Sequence, residues 1–198
     1  MYKVGITGGI GTGKSIVCSV FSVFGIPIYD ADSRAKWLTE HDPIIRQELI
    51  TTFGSEVFNG NILNRSFLAG AAFSNETKTR MLNAIIHPVV AKDFAEWVLT
   101  QQGAPYVLKE AALLYESGSA KELDTIIVVS APMELRLKRV LKRDSHRTEK
   151  QIRDIIARQW SEGEKLALAN HIVYNDELQL LVPQVLALHK QFLVDALS

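Results

Sequence analysis

The segment Gly8-Gly9-Ile10-Gly11-Thr12-Gly13-Lys14-Ser15 constrains this chain more than any other feature, because it matches the pattern G-x-x-x-x-G-K-[ST] in full. Glycines let the backbone curl so that successive N–H groups face one anion, and a helix starting at the loop's end adds the partial positive charge of its N-terminus. Lys14 then reaches the β and γ oxygens of a nucleotide, and Ser15 is left to ligate Mg²⁺. Five of the twelve glycines fall at positions 5, 8, 9, 11 and 13. A purely structural glycine turn would need no particular flanks. Here Tyr2 to Thr7 is a short apolar run of strand type, and Lys14 to Phe24 carries apolar residues at helical spacing. Strand, loop and helix in that order are the surroundings a phosphate-binding loop requires.

Downstream, Gly25-Ile26-Pro27 breaks the first helix, and Ile26 to Tyr29 reads as a second strand running into Asp30-Ala31-Asp32. Residues 33–102 read as helical, with interruptions at Phe58-Asn59-Gly60-Asn61, whose Asn-Gly pair favours a tight turn, and at His87-Pro88. No convincing buried strand is expected there. Strand-like runs return at Tyr106 to Leu108, Thr125 to Val129 and His171 to Tyr174. Helices are expected over Met133 to Arg143, around Glu149 to Trp160 and Glu162 to Ala169, and over Glu177 to Leu197. Alternating strands and helices predict an α/β fold with a parallel sheet covered on both faces, residues 33–102 lying partly outside it. With 198 residues, 47% of them hydrophobic, and no repeat or linker, the chain fits a single domain.

The 22 Lys and Arg residues cancel the 22 Asp and Glu, so no molecule-wide positive field exists to collect nucleic acid or an anionic membrane. Anion binding must be local. Cys18 is the single cysteine, which excludes an internal disulfide, and the five histidines show no zinc-ligand spacing. Cys18 is expected to pack as a small hydrophobe. The opening from Met1 to Gly5 lacks the features of a signal sequence, and no apolar run approaches the roughly 18 residues that span a bilayer. The expectation is therefore a cytoplasmic protein with no membrane, nucleic-acid or obligate protein partner.

Asp30 and Asp32 lie two apart at a strand end, so both carboxylates can face the sheet's carboxyl edge, where ligands bind. A carboxylate there can orient a hydroxyl acceptor and take its proton, or it can simply cap the helix that begins near Ser33. Between Arg136 and Arg158 nine basic residues face three acidic ones. Arg139 and Arg143 are four apart and share a helical face, Arg136 nearly so; they suit either a lid that clamps phosphates or an ordinary solvated helix. Glu110 and Glu116 flank Ala111 to Tyr115 and suit metal-bound water, the acceptor or plain surface duty. His87 suits a structural hydrogen bond or a ligand role, and Trp37, Trp97 and Trp160 are expected in the core or at an interface.

These segments, taken in order, resemble the dephospho-coenzyme A kinase family over nearly the whole chain. The resemblance runs through Gly5-Ile6-Thr7 and the loop to Lys14-Ser15, Asp30-Ala31-Asp32, Phe53-Gly54, Asn64-Arg65, His87-Pro88, Leu113-Leu114-Tyr115-Glu116, Leu137-Lys138-Arg139, Arg143-Asp144, Gln159 and Asn175. It implies a P-loop kinase core of five parallel strands flanked by helices, a helical acceptor-binding region over 33–102 and a lid over about 133–160. It also implies transfer of the ATP γ-phosphoryl, with Mg²⁺, to the ribose 3′-hydroxyl of dephospho-CoA. Carried over, Asp32 is the base, Gly11, Thr12, Gly13, Lys14, Ser15 and Ile16 form the ATP loop with Lys14 catalytic, and Arg139 and Arg143 are catalytic arginines of the lid or of the adenine side. Asp30, Arg65, His87 and Glu116 become acceptor-binding candidates. Three positions depart from the family pattern: Ile16 stands where Thr is usual, Ala112 where Pro is usual and Asn170 where Asp is usual. A nucleoside or nucleotide monophosphate kinase would share the loop and lid and differ in acceptor. A GTP-dependent switch would carry an Asn-Lys-x-Asp segment, and the chain has none.

Overall fold

The apolar run at the start of the chain becomes strand β1 (Tyr2–Thr7), buried over its last four residues, and the glycine loop then leads into α1 (Lys14–Val23). The computed structural model describes residues 1–72 and 74–197. After α1 come β2 (Ile28–Asp30), α2 (Ala31–His41), α3 (Pro43–Phe53), β3 (Phe58–Asn59), β4 (Ile62–Leu63), α4 (Arg65–Ala72) and α5 (Glu76–Thr100). They are followed by β5 (Tyr106–Glu110), β6 (Thr125–Ser130), α6 (Met133–Arg143), α7 (Glu149–Ala157), α8 (Glu162–Ala167), β7 (His171–Tyr174) and α9 (Leu181–Asp195). The chain divides into two compact units, Met1–Asp30 with the chain from Gln101 onward, and Ala31–Thr100.

The first unit is built on a five-stranded sheet in the order β2-β5-β1-β6-β7, with every pairing parallel. Tyr2 pairs with Tyr106 and Val4 with Thr125, which puts β1 at the centre. From β1 the chain crosses to β2 on one side and later to β6 on the other. The carboxyl end of β1 is thus a switch point, where α/β sheets place their ligands. One face of the sheet packs Val4, Ile6, Tyr106, Leu108, Ile127, Val129 and Val173 against Val17, Cys18 and Phe21 of α1 and Val185 and Phe192 of α9. The alternate residues Val107, Ile126 and Val128 are buried as well, so both faces are covered as the near-continuous apolar strands require.

Several boundaries differ from those read off the residues, β2 for one covering Ile28–Asp30 rather than Ile26 to Tyr29, and two of the differences have a visible cause. Strand β5 runs on through Lys109 to Glu110, because the buried Lys109 ammonium is paired with Glu122 at 2.9 Å. Helix α9 starts at Leu181 rather than Glu177. The Asp176 carboxylate accepts from the N–H groups of Leu178 (2.9 Å) and Gln179 (3.0 Å), and Glu177 has φ of 67°, so residues 176–180 form a turn that competes with the helix.

The second unit holds α2 to α5 with the short β3–β4 hairpin, in which the expected tight turn forms between Asn59 and Ile62. Asp42 caps α3 by accepting from Ile44 and Ile45 N–H at 2.8 and 2.9 Å, with Pro43 at the first helical position. Its core includes Leu38, Ile45, Leu49, Phe58, Leu68, Leu82, Val90 and Phe94. The interruption expected at His87-Pro88 does not occur, since α5 continues through Pro88. An internal proline costs about 3 kcal/mol. Burial of Leu82 before it and of Val90 and Phe94 after it, each worth roughly 1.5–3 kcal/mol, offsets that cost. Among the described residues, no helix is long and apolar enough to cross a membrane.

Candidate active site

The loop after β1 shapes itself by committing its carbonyl groups. Gly8 O accepts from Lys14 Nζ at 3.0 Å, and Gly9 O from Thr12 N (3.3 Å) and Thr12 Oγ1 (3.0 Å). Ile10 O accepts from Arg136 Nε (3.0 Å), Thr12 O from Asn175 Nδ2 (2.8 Å), and Gly13 O from Ile16 and Val17 N–H. Oxygens turned onto protein donors in this way do not face, and so do not repel, an anion bound by the loop's N–H groups. Helix α1 begins without a side-chain cap and without an acidic residue in its first turn, which leaves its positive end to a ligand. Lys14 and Ser15 lie in that first turn, and Ser15 is exposed.

Around this loop the first unit brings several further groups together. Asp30, the last residue of β2, pairs in register with Glu110 of β5. Glu110 in turn bonds the Cys18 thiol; burial first, and then that carboxylate, push the thiol far above its ordinary range. Cys18 therefore packs as an inert core residue, as expected.

The three arginines of α6 do not share one environment. Arg136 is buried, with Nη1 3.6 Å from Glu162; burial presses its guanidinium below the ordinary arginine range and Glu162 opposes this. Arg139 donates to Asn175 O (3.0 Å) and to Glu177 Oε1 (3.1 Å), one residue removed from Thr12 of the loop. Arg143 forms a two-pronged pair with its neighbour Asp144 at 2.8 and 3.0 Å. Those bonds hold Asp144 below the usual carboxylate range.

Glu116 is turned to a buried partner: its Oε1 lies 2.9 Å from Lys165 Nζ and accepts from Trp160 N–H at 3.0 Å. Lys165 also donates to Ala112 O at 2.9 Å. Trp160 is 41% exposed and stacks on Tyr115 at 6.1 Å, so it is not a core residue, and Trp37 is 47% exposed. In the second unit Asp32 falls in the first turn of α2, which starts at Ala31 rather than near Ser33; Asp32 is thus inside the helix, not its preceding cap. Arg65 pairs with Glu40, and His87 lies half-buried in α5 beside Pro88.

A family model described as dephospho-CoA kinase matches residues 2–179. The dephospho-CoA kinase of Bacteroides fragilis is 42% identical over 186 residues, covering 94% of this chain and 90% of the relative. The chain belongs to the dephospho-CoA kinase family. It is accordingly a kinase, phosphorylating dephospho-CoA with ATP in coenzyme A biosynthesis. Among solved structures, a Thermus thermophilus protein superposes with a TM-score of 0.82 at 31% identity, over 98% of this chain and 97% of that one. A dephospho-CoA kinase from Campylobacter jejuni shares the fold, with a TM-score of 0.69 at 21% identity over 98% of each chain.

The family's loop departures are absorbed locally. Asn170 uses one side-chain oxygen to accept from Ile126 N–H at 2.9 Å, a bond an Asp would make equally. Ala112 contributes its carbonyl to Lys165 and to Thr7 Oγ1, and a backbone acceptor does not depend on the side chain. Ile16 is 56% exposed on the outside of α1, where a β-branched residue of either polarity is accommodated. Sequence reasoning set Arg136 among the lid arginines and missed its burial. The signal was present: Arg136 is four before the buried Val140 and so lies on the apolar face of α6.

Proposed function

We propose that this chain transfers the γ-phosphoryl group of ATP to the ribose 3′-hydroxyl of dephospho-CoA, with ATP held by residues 11–16 and Asp32 as the base. The observation that supports it most is the loop at the switch point of the sheet, with its carbonyls committed to protein donors and an uncapped helix behind it. Lys14 moves from Gly8 O onto the β/γ bridge, while Arg143 and Arg139 neutralise charge on the transferring group. We take the whole chain as one catalytic domain, with 33–102 binding the acceptor and about 133–160 serving as the lid. Asp30, Arg65, His87 and Glu116 are the residues we assign to acceptor binding. The single cysteine and the absence of a global positive field support a cytoplasmic enzyme with two small-molecule partners.

The donor set at the loop fits Mg²⁺ that arrives with the nucleotide. Ser15 would hold the ion through its hydroxyl, a hard oxygen donor next to Lys14 in the chain. The ion would neutralise phosphate charge; the protein's own part is to position the groups around it.

Asp32 is tested by Asp32→Asn beside Asp30→Asn, measuring turnover and ATP affinity. Asparagine keeps the size and hydrogen-bonding reach but cannot take a proton. Turnover should fall roughly 10²- to 10⁴-fold with ATP affinity within a few-fold, the usual range for loss of a general base. A near-normal rate in Asp32→Asn would move the base to Asp30 or abolish it. Offering MgATP with dephospho-CoA, AMP, CMP and nucleosides, and locating the new phosphate by mass and position, tests the acceptor.

A further inference from the structure

We propose that Arg136 is a positioning residue for the phosphate loop, acting through the Ile10 peptide rather than on a phosphate. The inference rests on the loop binding ATP. Arg136 is 4% exposed, too deep to meet a nucleotide, and its Nε donates to Ile10 O at 3.0 Å while Nη1 faces Glu162 at 3.6 Å. Glu162 is itself bonded by the Ser130 hydroxyl at the end of β6. On the other side of the same residue, Ile10 N–H donates to Gln159 Oε1 at 3.0 Å. The Ile10 side chain packs against the cluster of Leu137, Val140 and Ile152.

The consequence follows from peptide geometry. A trans peptide is planar, with C=O and N–H pointing in opposite directions. Holding Ile10 C=O on Arg136 therefore aims the Gly11 N–H away from α6, fixing one of the loop's anion-facing donors without touching the anion. The fit is close. A Cβ on Gly9 would come 2.2 Å from Arg136 Nη2, and one on Gly11 would come 2.6 Å from the Arg136 carbonyl oxygen, where Gly11 also has φ of 82°. A planar guanidinium can serve the carbonyl through Nε and the carboxylate through Nη1 at once; a lysine ammonium at the same depth cannot hold both in that fixed geometry.

The test uses the full chain with Arg136→Met, Arg136→Lys and Glu162→Gln. For each, MgATP affinity is measured by calorimetry without acceptor, alongside KM for both substrates, kcat and the melting temperature. Arg136→Met should weaken MgATP binding and raise the ATP KM by between about ten- and a hundredfold, the loss of one charge-assisted hydrogen bond. The dephospho-CoA KM should stay within about twofold, and Arg136→Lys should fall between. Glu162→Gln should lower the melting temperature yet leave the ATP KM within about twofold, because the bond to Ile10 survives. A folded Arg136→Met whose ATP affinity and KM stay within about twofold of the unsubstituted chain overturns the proposal. If that variant does not fold, Arg136→Lys decides by the same criterion. An unsubstituted chain that binds MgATP but phosphorylates another acceptor overturns only the acceptor assignment; one that fails to bind MgATP overturns both.

Discussion

The phosphate loop and helix α6 both offer positive potential, the loop from backbone N–H groups and the helix from arginines. The loop is held by its own carbonyl bonds and by glycines that admit close neighbours. The arginines of α6 instead grade from fixed to loose within two turns, with side chains 4%, 26% and 62% exposed at positions 136, 139 and 143. One residue type thus does three things according to depth. Arg136 is locked into structure, Arg139 is shared between Asn175 and Glu177, and Arg143 bonds its sequence neighbour Asp144. Arg143, the most exposed of the three, is the one whose proposed role at a transferring phosphate would require it to leave its partner.

The largest effect expected is from Lys14→Ala, which removes the loop's mobile charge and should cut turnover by roughly a thousandfold or more with folding intact. A variant keeping more than about a tenth of the turnover would show that this loop is not the catalytic one. At the loose end of α6, Arg143→Ala should lower kcat by about 10- to 100-fold, more than it changes ATP KM, with Arg139→Ala milder and Arg143→Lys partly restored. Equal kinetics in all of these would leave α6 an ordinary solvated helix beyond Arg136.

Gly11→Ala sharpens the contrast from the other side. Its positive φ and the backbone contact with Arg136 should lower the melting temperature by roughly 5–10 °C, whereas Arg143→Ala should change it only slightly. A Gly11→Ala protein as stable as its parent would mean the loop is not held against α6 in solution. The smallest effect concerns Asp144. Its carboxyl is held below its ordinary value of 3.8 by the Arg143 hydrogen bonds, so any stability it confers is present above that pH and lost as pH falls through the depressed value. Melting curves of the parent and Asp144→Asn should differ slightly at pH 7 and converge at pH values below 3.8; a difference that persists in acid would contradict the Arg143–Asp144 latch.

Several features yielded to pattern because they depend on near neighbours in the chain. The strand–loop–helix unit, the parallel sheet with both faces covered, the tight turn near Gly60 and the packing of Cys18 all came from periodicity, glycine placement and polarity over a few residues. Other features depended on what arrives from far away. Lys109 reads as a strand terminator until Glu122 is brought beside it, and Pro88 reads as a helix break until burial on both sides of it is known. Nothing local to Glu116 shows that Lys165 and Trp160, nearly fifty residues downstream, come to its Oε1 and fix the carboxylate in place. At Glu177 the cause was local but small, a turn nucleated by Asp176 that a helical periodicity does not register.

What the sequence determined by itself was therefore chemistry that glycine, lysine and serine can write in eight consecutive positions, because a backbone anion site needs conformational freedom and one helix end more than it needs distant partners. What the tertiary structure decided was which charges are spent on holding that site. The depth of Arg136, its grip on the Ile10 carbonyl and the reach of Asn175 to Thr12 join residues up to 163 positions apart. Charge alone does not reveal such depth: an ion is stable in the interior only where opposite charge and hydrogen bonds meet it, and those partners come from other elements of the fold.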